Sequence, residues 1–125
     1  MIDIKGKSAF TQVATPAART ATLTGTGFDV SAYNGNITFV QNVGVVSGTN
    51  PTWAGTIEDS ANDSDYTAVS GAAFTSVTSS TNLQTLNVDT RSVRKYLRYV
   101  GTIGGTSTPT FNVSVTAIGE KQAVG

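Results

Sequence analysis

The sequence contains no cysteine and no histidine. Without cysteine there is no disulfide, no thiol nucleophile and no thiolate metal site. Without histidine there is no imidazole base, no Ser-His-Asp arrangement and no ordinary zinc site. Charge is scarce too. Charged residues make up 13% of the 125 positions, about half the ~25% of an ordinary globular chain. Eight acids balance eight bases, so the formal net charge is +0. That balance argues against a dedicated nucleic-acid binder, which needs an excess of basic groups to neutralise phosphates. No apolar run approaches the ~20 residues that span a bilayer. The opening MIDIKGKSAF lacks the apolar core of a secretory signal. The expectation is a soluble protein made in a cytoplasm, with no cofactor and no membrane partner.

What the chain does have is Ser and Thr, about a quarter of all positions. Threonine is stiff at χ1 and suits a pleated surface, so a Thr-rich, Lys/Glu-poor chain is biased to strands. A low-charge, neutral surface also suits a protein that works in an assembly, because charge is what keeps soluble monomers apart.

Apolar residues alternate with polar ones in short runs. Residues 36–46 place Ile37, Phe39, Val43 and Val45 on one face, with Gln41 interrupting, and Val40 and Val46 on the other. Residues 52–59 set Trp53, Gly55 and Ile57 together. Shorter strands are expected at 19–24, 66–69, 74–78 and 83–88. Residues 96–103 align Leu97, Tyr99, Gly101 and Ile103; residues 110–118 align Phe111, Val113, Val115 and Ala117. Asn34-Gly35, residues 47–51 and Gly104-Gly105 carry turn signals. The last of these reads as the turn of a hairpin spanning 88–118. Asp89 is placed to cap a turn or one helical turn over 89–92. The expected fold is all-β: a single-domain β-sandwich over 19–125, preceded by an N-terminal arm at 1–18.

Two clusters could carry chemistry. An acidic loop holds Glu58, Asp59, Asn62, Asp63 and Asp65. Its spacing does not match a calcium-binding helix–loop–helix, and a plain turn is the preferred reading. Two carboxylates on one polar loop also lack the rigid cleft that glycoside hydrolysis requires. A basic cluster follows, with Arg91, Arg94, Lys95 and Arg98 interleaved with Tyr96 and Tyr99. Arg and Tyr together suit a protein interface or internal ion pairs; the acidic loop of a neighbouring copy is one natural partner. Neither Gly104-Gly105 nor Gly25-Thr26-Gly27 has the context of a phosphate loop. Trp53 is the only tryptophan. A core or interface anchor is preferred for it over a sugar-stacking platform. No catalytic constellation emerges, and no enzyme is expected.

Residues 47–118 carry a series of phrases in order: GTNPT leading a strand, an acidic loop ending in an aromatic, GAAFTSVT, then VDTR before a basic YLR entry, and TIGGTS before FNVSV. This stretch resembles a family of small structural proteins of tailed phages and prophages, the capsid decoration or cement proteins. The resemblance implies a β-sandwich, often jelly-roll-like, on the outer surface of an icosahedral head, bridging capsomers. It implies the major capsid protein as partner, a homotrimer with a dimer as the alternative, and no direct contact with nucleic acid. The interface residues expected on this reading are Ile2, Ile4 and Phe10 in the arm, Arg91, Arg94, Tyr96, Arg98 and Tyr99 in the basic cluster, and Asp63 and Asp65 in the acidic loop. The competing expectation is a tail or baseplate module that binds a host receptor or glycan. The sandwich fold serves both roles.

Overall fold

The computed structural model describes residues 8–31 and 33–121. Two long strands dominate it. β4 runs Tyr33–Ser60 and β7 runs Tyr96–Lys121. They pair antiparallel along their whole length, from Tyr33 opposite Lys121 to Ser60 opposite Tyr96. Straight, the 28 residues of β4 would extend about 90 Å, far beyond a domain of this size, whose radius of gyration is about 14 Å. The ribbon therefore doubles back on itself.

The bend lies where turns were expected. Gly48, Asn50, Gly105, Ser107 and Thr108 all have positive φ, and register shifts fall between Ser47 and Thr49 and between Thr49 and Thr52. The breakers bend both strands together without ending their pairing. Residues 47–51 are thus not a turn between two strands, and Gly104-Gly105 does not close a hairpin. Residues 96–103 and 110–118 never pair with each other; each pairs with β4. This corrects the hairpin expected over 88–118. The physical reason is that a positive-φ glycine serves a bulge as well as a turn, and local sequence does not separate the two.

The other strands follow the doubled ribbon. On one half, β1 (Ser8–Arg19) flanks β7, and β6 (Asn82–Asp89) flanks β4. On the other half, β2 (Leu23–Thr24) and β3 (Phe28–Asp29) flank β7, and β5 (Thr67–Ala73) flanks β4. All belong to one seven-stranded antiparallel sheet. Residues 74–78 are not a full strand; they make a single bridge, Val77 to Trp53. A 3₁₀ turn at Thr90–Ser92 links β6 to β7, and the Asp89 side chain caps it by accepting from the Arg91 N–H, as the sequence predicts.

Residues 8–18 of the expected arm lie in β1: they pair with β7, and Val13 and Ala14 are buried. Ile2 and Ile4 lie outside the described residues.

The halves share one core. Phe28 on one half meets Phe39 on the other at 6.2 Å between ring centroids, and Trp53 meets Phe111 at 5.6 Å. The inward faces expected for 52–59, 96–103 and 110–118 are the buried ones. One alternation fails. The register shift between Val43 and Val46 turns Val45 out to 65% exposure and packs Val46 against the core, the reverse of the period-two reading.

Room at the centre comes from two glycines. Gly55 and Gly101 face each other across β4 and β7. A Cβ on Gly101 would overlap the Trp53 ring, and one on Gly55 would overlap Gln41 and Tyr99. Into that space Trp53 Nε1 donates to Tyr99 Oη at 2.7 Å, and Tyr99 Oη donates to Gln41 Oε1 at 2.5 Å.

Candidate functional site

The basic cluster and the acidic loop come together at the end of the molecule opposite the bend, where the chain crosses from β6 to β7. Register sets the pairing. Glu58 stands directly opposite Arg98, and Asp59 opposite Leu97. Arg98 donates to Glu58 Oε1 through Nε at 2.8 Å and lies within 2.7 Å of it through Nη2. The Arg98 guanidinium also stacks on the Tyr66 ring, 4.1 Å from its centroid. Arg94 holds Asp59 at 2.9 Å, and its own backbone N–H donates to the same carboxylate at 3.0 Å.

Lys95 reaches Asp29 at 3.8 Å and lies over Tyr96, and Arg91 pairs with Asp89 at 3.2 Å. Each of the four cations therefore has its own acidic partner within the chain. These are the internal ion pairs that the sequence reading offered beside a protein interface. Arg91 is 81% exposed, so its pair contributes little to stability. The Arg94 and Arg98 pairs are more sheltered and carry additional hydrogen bonds.

The acidic loop is organised by itself. Asn62 Oδ1 accepts from the N–H groups of Ser64 and Asp65, and Asn62 Nδ2 donates to Asp65. The Tyr66 hydroxyl donates to Asp63. A Cβ on Gly27 would collide with both Tyr66 and Asp63, so the loop lies across β7 as far as the segment before β3. Tyr66 and Asp63 thus pack beside Gly27, and Tyr66 packs on Arg98, at the crossover end of that half.

Ionisation follows these contacts. Partial burial alone would raise the Asp59 carboxyl, but hydrogen bonds and charge from Arg94 outweigh it and hold the group below its ordinary 3.8. Asp29 is lowered by hydrogen bonds from Ser31, and Asp89 by those from Arg91. Burial and the bond to Asp63 push Tyr66 up to about 12. Burial raises Tyr99 further still.

The expected interface residues divide accordingly. Arg91, Arg94 and the half-buried Tyr96 sit on the surface at the crossover end, and Asp63 and Asp65 on the exposed loop. Arg98 is there too, locked between Glu58 and Tyr66. Phe10 is 61% exposed, on the opposite sheet half. Tyr99 is the correction: it is fully buried beside Trp53 and presents nothing to a partner. The alternation that puts Tyr99 on the Leu97 face already carried that signal.

A shallow cavity of about 340 Å³ opens beside the cluster, lined in part by Val30, Tyr33, Val93 and Lys95. Among the described residues no group of three or more His, Cys, Asp or Glu is placed to hold a metal ion. The carboxylates here serve as ion-pair and hydrogen-bond acceptors within the chain, and the arrangement rigidifies the crossover.

No protein-family model matches this sequence, and no curated protein is significantly similar to it.

Proposed function

We propose that this chain is a structural component of a phage virion, a head decoration or cement protein that binds the major capsid protein on the outer surface of the head. The observation that carries this choice over the receptor-binding alternative is the burial of Trp53. On the receptor-binding reading Trp53 is the residue expected to stack on a sugar, with its ring open to solvent. The single tryptophan of this chain is 0% exposed and its N–H is already bonded to Tyr99.

Three features support the reading further. The cations of the basic cluster are paired internally, which leaves few groups for recognising a small charged ligand. The strand order β1-β7-β4-β6 on one half and β2/β3-β7-β4-β5 on the other is what a doubled ribbon gives in a jelly roll, an architecture used by viral capsid domains and also by lectins. The ordered phrases over residues 47–118 point to the same family. A cement protein adds buried contacts across junctions between capsid subunits, and weak contacts repeated around a symmetric shell act together. Such a part needs flat, rigid surfaces and no reacting group. A homotrimer around a three-fold position, or a dimer, fits this role.

The test is binding to heads. Purified protein mixed with heads that lack it should co-sediment with them at a fixed number of copies per shell. Failure to bind such heads, with binding to host surface polysaccharide instead, would give the chain to the tail.

A further inference from the structure

The outer faces of the two sheet halves differ sharply. One carries the ion pair Glu58–Arg98, with Tyr66 of the acidic loop packed on Arg98. The other is formed by β1, β7, β4 and β6. Its side chains are read from the register. Phe10, Ile118, Thr38 and Asn87 form one cross-strand row. Gln12, Thr116, Val40 and Thr85 form the next. Ser114, Asn42 and Leu83 form the third. No charged side chain stands in these rows; Glu120, opposite Ser8 and Asn34, lies beyond the first of them, towards the crossover end. The three large hydrophobics most exposed among the described residues, Phe10, Val45 and Leu83, at 61%, 65% and 67%, are all on strands of this half, with Val45 at its bend end.

We propose that this uncharged face is the contact surface for a second copy of the same chain, packed face to face about a two-fold axis. Charge selects the occupant. A face without charge is complementary to itself, whereas a charged partner would lose solvation there and find no counter-ion. Thr, Ser, Asn and Gln each donate and accept, so the polar rows can bond to their own kind. A two-fold contact uses the same patch on both partners, and two antiparallel sheets stack this way at about 10 Å.

Size agrees. Four strands at ~4.8 Å spacing and about eight residues of ~3.4 Å give a footprint of about 500 Å². Two copies then cover about 1,000 Å², the threshold for a specific interface. The crossover end, with its ion pairs, stays free in such a dimer for a different partner.

Sedimentation equilibrium of the full chain over a concentration series tests this. The expected mass is twice 12.9 kDa. The double variant Val40→Lys/Leu83→Lys should lose the dimer, because like charges then meet across the axis, while its thermal midpoint stays within a few degrees. Ala61→Lys, on the exposed loop of the other half, should remain dimeric. The absence of cysteine permits a second measurement that does not depend on those variants. Thr116→Cys, at the centre of the face, should give an intermolecular cross-link with a bis-maleimide whose arm spans the ~10 Å between stacked sheets, and Ala61→Cys should not.

A wild-type monomer at high concentration overturns the proposal, as does a dimer indifferent to the lysines or a Thr116→Cys dimer that fails to cross-link. A monomer that binds heads and loses that binding on Val40→Lys/Leu83→Lys also overturns it, and assigns the face to the capsid. Dimerisation is scored in free solution, so its outcome is separate from whether the protein sits on heads.

Discussion

Tyr99 is the hinge of the core at the scale of single residues. It accepts from Trp53 and donates to Gln41 across the two halves of the sheet, so it joins strands that are distant along the ribbon. The Gln41 amide nitrogen, with both its N–H groups, has no protein partner, and a buried orphan of that kind costs about 1–3 kcal/mol. Tyr99→Phe would create two more, on Trp53 Nε1 and Gln41 Oε1, and should destabilise the protein by about 2–4 kcal/mol in urea unfolding. Gln41→Leu should cost less, because it removes the unpaired amide along with the bond. Equal effects of the two, or a neutral Tyr99→Phe, would mean that the network does not hold the halves together. Gln41 in the sequence is only an interruption in an apolar face. Its reason lies on a strand 58 residues away, which no local pattern reveals.

The faces of individual elements were legible, and the partners of those elements were not. Period-two alternation identified Trp53, Ile57, Leu97, Phe111 and Val115 as inward, and each is buried. It misassigned Val45 and Val46 because a bulge shifts the phase by one residue. The glycine pair at 104–105 looked like a hairpin because local chemistry supplies positive φ without saying whether pairing continues. The Glu58–Arg98 and Asp59–Arg94 pairs were likewise hidden, since they depend on the β4–β7 register. Both clusters were visible as charge; only register makes them partners.

The charged end gives a pH signature. Asp29, Asp59 and Asp89 lie below 3.8 in the folded chain. Their stabilising contribution is complete above that value and is lost as pH falls through their lower folded values. Tyr66 behaves oppositely. Its pKa rises from 10.0 to about 12, so its contribution is complete below 10 and is lost between the two. With no histidine to titrate between them, the urea midpoint should be flat from about pH 5 to about pH 9 and fall on both sides. Tyr66→Phe should weaken the alkaline fall and leave the part due to buried Tyr99. A step near neutral pH would show that these groups do not control the response.

For the whole molecule, the doubled ribbon gives two unlike surfaces: one half carries the Glu58–Arg98 pair with the acidic loop packed on it, the other presents uncharged cross-strand rows with Phe10 and Leu83 exposed. That division suits the proposed part that joins other parts. The N-terminal residues, expected at the capsid, precede β1 on the edge of that second half. The most direct measurement is localisation of the protein on intact particles by labelled antibody in electron microscopy. Regular label over the head in many copies is the predicted result. Label confined to the tail tip would contradict the cement role and make receptor binding the function to pursue.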